Sequence, residues 1–115
     1  NGRYRVMDWM TACIGDPLAD VARTRLLLIY AEPPEGHPPS GVAERIFRRF
    51  LCIAYLRAYR KLTGAKSTDI RRREIPVAAA RLSEGVPEVE KKRVYALLRK
   101  KLRRRDPSGK NLSPA

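Results

Sequence analysis

Apolar residues recur at helical spacing in four long blocks, and clusters of proline, glycine and small polar residues separate the blocks. Before them, Tyr4 to Met7 reads as a short strand that delivers Asp8 and Trp9 at its end. A tight loop then closes on Gly15-Asp16-Pro17. Aspartate is a strong N-cap and proline suits the first helical position, so the spacing predicts a helix from Pro17. Leu18, Val21, Ala22, Arg25, Leu26 and Ile29 share one mainly apolar side of it, and it ends near Tyr30 or Ala31.

Glu32 to Gly41 holds four prolines and two glycines, which predicts an exposed loop. A long helix follows, capped by Ser40 or Gly41, with Gly41 and Glu44 at capping-box spacing. Val42, Ile46, Phe47, Phe50, Leu51, Ala54, Tyr55, Ala58, Tyr59 and Leu62 belong to a broad apolar stripe along it. Arg45, Arg48, Arg49, Arg57 and Lys61 occupy the opposite side, and Gly64 stops the helix. Ser67, Thr68 and Asp69 offer the next cap, before a helix over Ile70 to Ser83 that Pro76 should kink or split. Ile75 to Leu82 is apolar and rich in small residues, so it packs centrally, and Gly85 ends that segment. Pro87 opens the last helix, whose buried edge is Val94, Leu97, Leu98 and Leu102. Its acids come first and its cations last, which complements the helix dipole. From Asp106 the chain is a polar tail expected to be disordered, so residues 1–105 form the domain and 106–115 its tail.

The expected fold class is therefore mainly α: about four helices plus one short N-terminal strand. At 115 residues there is one domain's worth of chain, enough to enclose a core. No stretch approaches the roughly 18 apolar residues of a membrane span. The N-terminus lacks the apolar run of a signal peptide, so the expectation is a cytoplasmic protein without a membrane partner. Cys13 and Cys52 suit two buried thiols in a reducing compartment rather than a disulfide framework.

The run Val-x-Asp-Trp at Val6 to Trp9, then Gly-Asp-Pro-Leu-x-Asp-x-Ala at Gly15 to Ala22, resembles the aminoglycoside-phosphotransferase-like family of small-molecule kinases. The match is dense over the first 28 residues or so and looser beyond. In that family the run lies past the middle of the chain. The resemblance therefore implies a C-terminal fragment of a kinase, built like the helical C-terminal lobe of a protein-kinase-like fold. It implies that the parent enzyme transfers the ATP γ-phosphate to a hydroxyl of a small molecule.

Phosphoryl transfer needs phosphates held, Mg²⁺ held and the acceptor hydroxyl positioned. The resemblance places Asp8 as the Mg²⁺ ligand, matching the Asp of the kinase Asp-Phe-Gly. Trp9 stands for the Phe and anchors the backbone, while Met10 departs from the Glu or Gly often found next. It gives Asp16 and Asp20 structural support roles, Asp16 as the cap of its helix. No Gly-rich phosphate loop, strand Lys or His-Gly-Asp-x-His-x-x-Asn loop is present, so the catalytic base is expected upstream, and the fragment alone should be inactive. His37 is the single histidine and falls in the proline-rich loop. Surfaces around Val6 to Ile14 that meet the missing N-terminal lobe and catalytic loop are expected to be exposed, so the isolated chain should self-associate, with the edge strand Tyr4 to Met7 as one route.

Charge complicates this picture. Twenty-five Lys and Arg against twelve Asp and Glu give +13. Such a surplus attracts polyanions. The basic runs at Arg71 to Arg73, Lys91 to Arg93 and Arg99 to Arg105 lie on predicted helices, where solvated faces account for most such runs. They carry no interleaved aromatics and no recognised nucleic-acid motif, so a basic helical nucleic-acid-binding or protein-interaction module is the alternative and not the favoured reading. The same charge makes a poor receptor for a polycationic aminoglycoside unless acids cluster. Glu32, Glu35, Glu44, Asp69, Glu74 and Glu84 are the candidates for such a cluster.

Overall fold

A computed structural model describes residues 15–105. The expected strand at Tyr4 to Met7, with Asp8 and Trp9, and the polar tail from Asp106 lie outside the described residues. Within them the chain is mainly helical, with four helices and no strand.

α1 spans Pro17–Tyr30. Asp16 leaves extended backbone at φ −74° and ψ 113°, and its carboxylate accepts the Leu18 N–H at 2.9 Å. That satisfies one of the orphan amides of the first turn. α2 spans Val42–Thr63 and ends where Gly64 turns left-handed at φ 72°, a conformation open to glycine at little strain. The capping box expected between Gly41 and Glu44 does not form, because glycine has no side chain to complete it. Glu44 instead accepts the Ser40 hydroxyl at 3.3 Å.

α3 spans Ser67–Leu82 and starts three residues earlier than expected. The connection after Gly64 is only Ala65 and Lys66. Lys66 is already the N-cap, and its carbonyl accepts the Asp69 N–H at 3.1 Å. The expected cap residues Ser67, Thr68 and Asp69 are therefore the first turn itself. Pro76 sits inside α3 without splitting it. Proline removes the bond that would run to the Arg72 carbonyl. Both residues are exposed, so the freed carbonyl is open to water. α4 spans Glu88–Arg105, with the Pro87 carbonyl accepting the Lys91 N–H at 3.0 Å.

α1 is the hub. It packs against α2, α3 and α4, and α3 also packs against α4. Leu26, Ala78, Val94 and Leu98 form one buried cluster, flanked by Tyr30, Ile75, Val77, Leu82 and Leu97. Val21, Ala22 and Ile70 form the other, covered by Leu18, Tyr55, Leu56 and Tyr59. The expected central role of Ile75 to Leu82 therefore holds for Ala78 and its neighbours, while Ala79 and Ala80 are exposed. Leu102 departs from the expected buried edge of α4 and is 48% exposed. Glu90, Val94 and Leu98 are the buried residues of that helix.

α2 differs most from the simple expectation. Its inward side holds Cys52, Tyr55, Leu56 and Tyr59 together with Arg48. Its outward side is apolar: Phe47 and Phe50 are 61% and 68% exposed, with Val42, Ile46, Ile53 and Leu62 exposed as well. Phe47, Phe50 and Ile46 of the broad stripe thus face solvent, and only its Tyr55 and Tyr59 edge meets α1.

Candidate functional site

The described end of the kinase-like run is the Gly15-Asp16-Pro17 turn. Asp16 caps α1, and its second carboxylate oxygen pairs with Arg73 of α3. The Arg73 hydrogen bond, helped by the Leu18 amide, holds the Asp16 carboxyl below its usual range. Asp16 thus ties the start of α1 to α3. Asp20 lies one turn further on and is exposed. Asp8 and Trp9 are outside the described residues, so no geometry attaches to them here. Among the described residues no group of three His, Cys, Asp or Glu side chains is arranged to hold a metal. His37 is exposed in its loop.

Sequence reasoning missed the buried carboxylates. Glu74 and Glu90 are each 1% exposed. Glu74 is clamped between Arg25 of α1 and Lys101 of α4. Glu90 accepts Arg81 Nε at 2.7 Å and the Glu32 backbone N–H at 3.0 Å. Glu32, whose side chain is also buried, accepts Arg93 at 2.5 Å and the Ser40 N–H at 3.1 Å. Burial opposes ionisation of Glu32, but Ser40, Arg45 and Arg93 outweigh it, and the carboxyl sits below its usual range. Glu84 receives two bonds from Arg23, at 2.6 and 3.1 Å, and one from Arg81 at 2.7 Å. The Arg23 pairing first, then Arg81, pulls its pKa down to about 2. A buried carboxylate needs such partners, because an isolated one would be heavily penalised.

The signal for two of these was present in the spacing. Ile70, Glu74 and Ala78 fall four apart, as do Glu90, Val94 and Leu98. Each glutamate therefore stands in line with residues that are buried. Arg48 is placed the same way, four residues before Cys52. Its guanidinium donates to the Ala31 carbonyl at 2.7 Å and the Leu27 carbonyl at 2.8 Å, closing the C-terminal end of α1.

Acids and cations are unevenly shared over the surface. Glu32, Glu74 and Glu84 are held by arginines, so these three do not form an acidic receptor surface. Those arginines are Arg23 and Arg25 of α1 and Arg93 early in α4, with Lys101 late in α4 also on Glu74. The early turns of α3 and the late turns of α4 instead border an open groove of about 340 Å³, and a second cleft of about 150 Å³ adjoins it at Arg71. Cys52 is buried, and that burial pushes its thiol up, with Arg25 acting the other way.

No helix among the described residues is long and apolar enough to cross a membrane. No protein family, curated protein or solved structure matches the chain.

Proposed function

We propose that this chain is the C-terminal helical part of a small-molecule phosphotransferase resembling the aminoglycoside-phosphotransferase-like kinases. The observation that carries this reading is the fixed-register run from Val6 to Ala22. Two structural features support it. The second half of the run is a well-formed helix start, in which Asp16 caps α1 and reaches Arg73. The apolar outer side of α2 is what a helix presents when more protein is meant to lie against it.

In this reading the parent enzyme moves the ATP γ-phosphate to a hydroxyl of a small molecule. Asp8 is read from the sequence as a Mg²⁺ ligand, with Trp9 as its anchor. Mg²⁺ takes one or two protein carboxylates and keeps several waters, so a single aspartate here is an adequate contribution. The described residues offer no second ligand set, and no reaction step is assigned to them. Asp16 and Asp20 are structural in this reading, Asp16 as the cap of α1. The catalytic base and nucleotide lobe belong upstream. The acceptor is neutral or anionic, because the acids that could have received a polycation are largely tied to arginines.

The test is the coding sequence upstream of the Asn1 codon, followed by expression of whatever frame it encodes. An in-frame His-Gly-Asp-x-His-x-x-Asn and an ATP-dependent phosphorylation lost in Asp8→Asn are expected. A start codon or an unrelated domain there refutes the reading. Strong activity of the full-length parent on kanamycin-type acceptors refutes the substrate class alone.

A further inference from the structure

Lys and Arg side chains are common on this surface, but at one place they line a concavity. Arg71 and Arg72 of α3 face Lys101, Arg104 and Arg105 of α4 across the 340 Å³ groove, with Thr68 at its rim. The adjoining cleft shares Arg71 and adds Arg25, Arg57 and Arg60. Glu74 is the single carboxylate lining the two, and Arg25 and Lys101 already hold it. Eight cations thus line the two clefts against one carboxylate, which is already paired.

Three considerations separate this from an ordinary solvated face. Arg23, Arg45, Arg48, Arg73, Arg81 and Arg93 all meet carboxylates elsewhere in the molecule. Among the described residues Arg57, Arg71, Arg72, Arg104 and Arg105 form no ion pair, and unlike the equally unpaired Arg49, Arg99 and Arg103 they line a concavity. Facing like charges across a groove repel more than charges spread on a convex surface, because the low-dielectric walls focus the field. Finally, the dipole of α4 favours cations at Arg104 and Arg105 in its last turn. Arg71 and Arg72 lie in the second turn of α3, where the dipole acts little either way, and an anion between the two helices would offset their charge.

We propose that the groove between α3 and α4 binds a compact ligand carrying two or more phosphate groups. Arginines match phosphate geometry through bidentate charge-assisted bonds. No aromatic side chain lines either cleft, so bases would find no stacking platform, and a short polyphosphate fits better than a nucleic-acid strand. This inference stands independently of the kinase reading, since it uses no residue of the Asp-Trp run.

The experiment is titration calorimetry of the full chain with tripolyphosphate, with inorganic phosphate and a short oligonucleotide as comparison probes. Variants are the pair Arg71→Gln with Arg104→Gln, and the control pair Arg49→Gln with Lys92→Gln, which removes the same charge from exposed positions outside the groove. Circular dichroism checks that both variants keep the helical content of the parent chain. Tripolyphosphate should bind more tightly than phosphate, and the groove pair should weaken it by at least about tenfold while the control pair changes it less than about threefold. Equal losses in the two pairs would mean a diffuse charge effect and overturn the site. No measurable tripolyphosphate binding overturns it as well. An oligonucleotide that outcompetes tripolyphosphate and ignores the groove pair would overturn it in favour of a nucleic-acid surface elsewhere.

Discussion

Replacing Arg48 by alanine should destabilise this protein more than replacing Phe50, a reversal of the usual ranking for a helix. Arg48 carries two short bonds to the Ala31 and Leu27 carbonyls and a weaker one, at 3.3 Å, to the Ser40 hydroxyl. Its side chain is 21% exposed. A hydrogen bond from a charged donor contributes about 1.5–3 kcal/mol. Water reaches part of this site, so after truncation it would recover some of that loss, and about 2–3 kcal/mol is the expected net for Arg48→Ala. Phe50 is 68% exposed, and exposed truncations usually fall within about 0.5 kcal/mol. Urea unfolding followed by circular dichroism checks both, at two dilute protein concentrations so that association is separated from folding. For Arg48→Ala the midpoint should fall by roughly 1–3 M, and for Phe50→Ala it should barely move. A larger loss for Phe50→Ala at both concentrations would mean that α2 is turned the other way.

The pairing of Glu84 predicts an acid limb. A folded pKa of about 2, against an ordinary 4.5, gives stability that is complete above pH 4.5 and lost as pH falls towards 2. Its size is about 1 kcal/mol after allowing for solvent around the pair, and Glu84→Gln should remove that part of the acid-unfolding curve. Glu74→Ala leaves Arg25 and Lys101 facing each other without their acid. A loss of about 3–5 kcal/mol in urea unfolding is expected, and a loss below 1 kcal/mol would show that the clamp is solvated. Cys52 is buried with its thiol pushed up, so in Cys13→Ser it should react with an aromatic disulfide reagent only on unfolding. Fast labelling of the folded chain would contradict its burial. Phe47→Asp with Phe50→Asp should reduce concentration-dependent light scattering and leave the helical content intact. Unchanged scattering would place association elsewhere, including the route proposed through Tyr4 to Met7.

Helix positions were the legible part. Asp16-Pro17 and Gly64 announce their boundaries because capping and left-handed backbone are local properties of those residues. What escaped was which side of a helix turns inward. Summed hydrophobicity puts Phe47 and Phe50 inside, whereas the structure places Arg48 there, donating to the Leu27 and Ala31 carbonyls at the end of α1. That contact forms only once two helices meet, so it leaves no local mark. The early start of α3 is similar: Lys66 is a poor cap by composition, and the two-residue link after Gly64 decides the matter. Of the candidate site, Asp16 caps α1 and pairs with Arg73, while Asp8 and Trp9 rest on the sequence alone.

α2 is attached to the rest of the molecule mainly through α1, yet the other three helices keep a cluster of their own around Leu26, Ala78, Val94 and Leu98. The molecule therefore has two tiers of cooperativity. Backbone amides of α2 can exchange with solvent deuterium through a partial opening that swings this 22-residue limb off α1. Amides beside Ala78 and Val94 must wait for the whole body to unfold. A partner that bound the outer side of α2 would slow the first kind of exchange and leave the second untouched, so such binding would be recorded chiefly in the less protected tier.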